Sequence, residues 1–160
     1  MKKLLIALVV IVFLAGAAFA ASTDTQTVYY EIDAINEIDL DVGSLTLTVD
    51  SVAQAGYQPA SDVTDWMLYG ITTNSTGKKI TGSINANVPS NCQLEVLLEA
   101  PSNAVSTGLK NLYFQATNLV TSIETVAEGD VRYRFYWHAN VEAGLPPDGS
   151  RVVTYTLTDE

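Results

Sequence analysis

Residues 131–140 read Val-Arg-Tyr-Arg-Phe-Tyr-Trp-His-Ala-Asn. In an extended chain successive side chains point to opposite faces. Val131, Tyr133, Phe135, Trp137 and Ala139 therefore share one face. Arg132, Arg134, Tyr136, His138 and Asn140 share the other. Strict alternation over this length predicts a strand, and its apolar face is too large to leave in water. Something else in the chain must cover it.

Working outward, the covering segments alternate too. Cys92, Leu94, Val96, Leu98 and Ala100 set one inward row over residues 92–100. Residues 66–73 and 79–86 flank an Asn-Ser-Thr-Gly turn and read as a hairpin. Residues 110–117 and 119–126 add two weaker strands, and Glu128-Gly129-Asp130 turns the chain into the opening stretch. Residues 151–158 close it with Val153, Tyr155 and Leu157 inward. Towards the N-terminus, residues 27–33, 37–42 and 45–49 also alternate, and residues 50–65 form a long loop. No segment carries a helical period. About nine short strands separated by Gly, Pro, Asn and Asp predict an all-β fold, a two-sheet antiparallel sandwich of immunoglobulin-like or jelly-roll type.

The chain of 160 residues opens with Lys2 and Lys3, an apolar run over residues 4–14, and Ala18-Phe19-Ala20. That order predicts a signal peptide over residues 1–20, cleaved before Ala21, and a single domain over residues 21–160. The expected location is outside the cell or at its surface, with no membrane segment left after cleavage. Loss of Lys2 and Lys3 would leave 6 of the 8 basic residues against 18 acidic ones, a net charge of −12. Such a surface repels nucleic acid. Cys92 is the single cysteine, so no internal disulfide staples the fold. A mature chain of that size buries about two-thirds of its surface and needs none.

The chemistry-bearing residues are few. Any Ser–His–acid or Cys–His nucleophile would have to use His138, the one histidine, and no nucleophile motif surrounds it. Cys92 lies on an apolar strand face, where a thiol acts as a small hydrophobe. No enzyme activity and no cofactor are expected. Glu31, Asp33, Glu37, Asp39 and Asp41 place five carboxylates within eleven residues. Asp39 and Asp41 are the calcium candidates of this set, but they lack the length and spacing of an EF-hand loop. The plainer reading is an acidic face that keeps a strand edge from pairing promiscuously. Tyr57, Trp66, Tyr69 and Tyr136 are the aromatics a surface glycan would meet if they were exposed.

A cleavable leader, an acidic Thr- and Asn-rich sandwich and a closing strand at 151–158 resemble, in layout, the exported pilin and filament subunits of prokaryotes. The resemblance implies a non-enzymatic structural protein whose partners are copies of itself. In those families a strand of one subunit completes the sheet of the next. Val28, Tyr30 and Ile32 would be the donor residues, offering alternate side chains to a neighbour's sheet edge. Glu31 and Asp33 would meet Arg132 and Arg134 of that neighbour and fix the register. The alternative is a monomeric extracellular module that binds a carbohydrate or a surface partner, with calcium-dependent adhesion as a variant of it.

Overall fold

A computed structural model describes residues 23–160; the expected signal peptide lies outside the described residues. The chain divides at Ile32, and the sandwich comprises residues 33–160. Ten strands lie among the described residues: β1 Asn36–Leu40, β2 Asp62–Val63, β3 Met67–Thr73, β4 Lys78–Ile84, β5 Cys92–Leu98, β6 Val105–Ser106, β7 Lys110–Asn111, β8 Thr117–Ile123, β9 Val126–Ala139 and β10 Val153–Asp159. They form a two-sheet antiparallel sandwich. One sheet has the order β1-β3-β9-β5-β7, with β2 also on β9; the other has the order β10-β4-β8-β6.

β9 is the spine, and its length follows from how it is held. β5 pairs with residues 133–139 along one edge. β3 pairs with residues 126–133 on the other, and β2 continues that edge at Tyr136 and Trp137. The expected turn at Glu128-Gly129-Asp130 is therefore absorbed into the strand. Val131 pairs with Tyr69 and Glu128 with Ile71, so Gly129 and Asp130 stand opposite Gly70 alone. Two residues against one is a β-bulge. Asp130 takes the left-handed conformation that the extra residue requires, at φ 59.

The alternation of the opening stretch is realised. Val131, Tyr133 and Phe135 are buried, and Trp137 packs at the margin of the core. Tyr133 sits edge-on to Tyr69, Phe135 and Tyr155, with ring centroids 6.1–6.4 Å apart. Such T-shaped pairs add about 0.5–1.5 kcal/mol each beyond area burial. Burial pushes the Tyr133 hydroxyl up to about 12, and the Asp41 carboxylate adds to the shift. The Tyr69 hydroxyl is pushed up further, again chiefly by burial, and donates to the carbonyl of Glu99 at 2.6 Å. In the second sheet β4 pairs with β8. A Cβ added at Gly82 would stand 2.6 Å from Leu119 Cδ1, so any larger residue forces the leucine to shift. Cys92 is buried, as expected of a core thiol.

Three expected strands take another form. Residues 27–33 and 45–49 alternate but join no ladder. In the second, the Thr48 amide donates to the Asp62 carboxylate, a side-chain bond in place of a strand partner. The segment 110–117 pairs with β5 only at Lys110 and Asn111, after which the chain crosses to the other sheet as β8.

Candidate functional site

The outward face of β9 carries polar side chains between two strands that can answer them. Arg132 lies across from Glu99, and its Nε and Nη2 donate to both carboxylate oxygens at 2.9 and 2.8 Å. Arg134 stacks on Trp66 at 4.3 Å from the ring centroid and on Tyr136 at 4.9 Å. Arg132 approaches the same Trp66 ring at 4.9 Å. The two arginines expected to receive a neighbour's acids are thus engaged within their own sheet. The indole a sugar would use has a guanidinium over it. Tyr69 is in the core, while Tyr57 and Trp66 are exposed.

His138 gathers two residues that the sequence did not bring together. Gln93 stands opposite it on β5, so Glu95, two residues along, is its diagonal neighbour on the same face. Glu95 Oε2 lies 2.8 Å from His138 Nε2. On the other side Ser61, in the residue before β2, hydrogen-bonds His138 Nδ1. Serine, histidine and a carboxylate in contact invite comparison with a nucleophile triad. That chemistry requires the acid to take a directed bond from the base's second nitrogen. Here Nε2 is buried and makes no hydrogen bond. The carboxylate is close but off the N–H line, so no hydrogen bond joins the two. The group straps β2 to β9 and β5. Glu95 was visible in the strand alternation; Ser61 was hidden in a loop whose path no local pattern sets.

At the acidic end, Glu37 and Asp39 of β1 line a shallow groove of about 360 Å³ with Gly70 and Glu128. No group of three or more His, Cys, Asp or Glu side chains among the described residues is placed to hold a metal ion. Asp39 and Asp41 are exposed.

The N-terminal segment carries a run of exposed apolar side chains. Val28, Tyr30 and Ile32 are 72%, 91% and 81% exposed, and Tyr29 is exposed as well. Just beyond it the chain is fastened. The Asn74 side chain accepts from the Ile35 amide at 2.8 Å and donates to the Asp33 carbonyl at 2.8 Å. No protein-family model matches the chain, and no curated protein matches it either.

Proposed function

We propose that this chain is an exported, non-enzymatic structural protein, a subunit of an extracellular filament that assembles by lending residues 28–32 to a neighbouring copy. The observation that carries this reading is the exposure of Val28, Tyr30 and Ile32 on a segment that joins no ladder. Burial of such side chains is worth about 1.5–3 kcal/mol each. A polar tail would have no such free energy to recover. Their spacing of two suits pairing along a sheet edge, where alternate side chains enter the core and the backbone supplies the hydrogen bonds. A contact of this kind is head to tail and does not close, so it propagates into a fibre.

The test compares the exported protein with a Val28→Asp/Tyr30→Asp/Ile32→Asp variant by sedimentation and electron microscopy. Filaments from the first, with only monomers from the second, are the expected result. A free peptide of residues 27–33 should cap growth. If the unaltered protein stays monomeric at high concentration and the peptide does nothing, the monomeric binding module takes its place.

A further inference from the structure

We propose that the acceptor is the free edge of β10, with residues 28–32 of a second copy lying antiparallel along it; this rests on the strand-lending reading above. The outer strands are β1, β2 and β7 in one sheet and β10 and β6 in the other. β2, β6 and β7 have two residues each, too few to seat a donor of five. β1 has five and β10 has seven. β1 carries Glu37 and Asp39 and runs on to Asp41, so it repels a donor that carries Glu31 and Asp33.

The backbone of β10 is oriented for the task. At one end the Asn85 amide donates to the Val152 carbonyl; at the other the Glu160 amide donates to the Gly77 carbonyl. In an antiparallel ladder hydrogen-bonded and non-bonded positions alternate. Residues 152, 154, 156, 158 and 160 thus bond towards β4. Val153, Tyr155 and Leu157 aim their N–H and C=O groups the other way. Among the described residues no backbone hydrogen bond meets them there. Their side chains pack against the core and are partly buried. Tyr30 set opposite Tyr155 places Val28 against Leu157 and Ile32 against Val153. The donor's apolar row then continues that of β10.

Charge selects the direction. Arg151, just before β10, bonds the carbonyls of Asn87 and Ser150, and no carboxylate pairs with it among the described residues. The far end of β10 carries Asp159, paired with Lys78, and Glu160. An antiparallel donor brings Asp33 to the Arg151 end and keeps it from the two acids.

Val153→Pro tests the edge. The N–H it removes points away from β4, so no bond of the subunit's own sheet is lost, and proline is tolerated at the first residue of an edge strand. The variant should melt cooperatively as a monomer, with its critical concentration for polymerisation raised about tenfold or more, a difference of about 1.4 kcal/mol per decade. Arg151→Asp should also slow growth, and Arg151→Asp/Asp33→Arg should restore it; this pair decides the matter if the proline variant does not fold. Unimpaired polymers from both Val153→Pro and Arg151→Asp, while the triple-Asp donor variant makes none, would keep strand lending and overturn β10 as its acceptor. Monomers from the unaltered protein would overturn both.

Discussion

β9 and residues 27–33 have the same local grammar and opposite fates. Both alternate apolar with polar side chains. β9 has strands on both edges and a second sheet over its inward face; residues 27–33 have no ladder, and their apolar side chains are exposed. Alternation gives a segment a face to bury. Whether it is buried depends on the neighbours. Residues 27–33 have the pattern of a strand and, among the described residues, no ladder partner.

The largest effect that can break this contrast is at the two tyrosines. Tyr133→Ala empties the centre of the aromatic cluster and should cost about 3–5 kcal/mol in chemical denaturation. Tyr30→Ala should leave the monomer within about 0.5 kcal/mol of its original stability. A comparable loss from both would mean that residues 27–33 are packed in the monomer. A smaller effect sharpens the point within the sandwich. Gly82→Ala drives a Cβ into Leu119 and should cost about 1–3 kcal/mol by thermal melt, because an interior strand has no slack.

The smallest effect is at the bulge. The Ser102 amide donates to Glu128 at 2.8 Å, and hydrogen bonding from Ser102 holds the Glu128 carboxyl below the usual glutamate range. A depressed carboxyl stabilises the fold above its unfolded pKa and loses that contribution as pH falls through the folded one. Stability should therefore decline below about pH 4.5, the ordinary value of the group. Glu128→Gln should flatten that limb slightly and leave neutral pH little changed. Unaltered acid melts would show the bond to be worthless, as many exposed contacts are.

Much of this was legible in residue order. The alternation of β9, β3, β4 and β5 fixed which side chains form the core, and it placed Arg132, Arg134 and His138 outside. Strand boundaries were less so, for two physical reasons. Residues 45–49 have the pattern but no ladder partner, and pairing is a property of two segments. Glu128-Gly129-Asp130 has turn composition, yet a strand held on both edges turned those residues into a bulge. The β2–β9–β5 strap needed Ser61 to be delivered by a loop. The outer edge of β10 needed a strand order, which no single segment encodes.

Asn74 has a mechanical consequence. Its amide clasps the chain on both sides of Ala34, at the root of the N-terminal segment. A pull on residues 28–32 passes this clasp before it reaches β1. β1 is antiparallel to β3 with five paired residues, Asn36 to Thr73 through Leu40 to Tyr69. Load drawn along β1 strains those pairs side by side, in shear, and they yield together; load drawn across it would peel them one at a time. The clasp sets the angle at which tension enters the sheet. With Asn74→Ala the domain should keep its fold at rest and rupture at lower force when stretched.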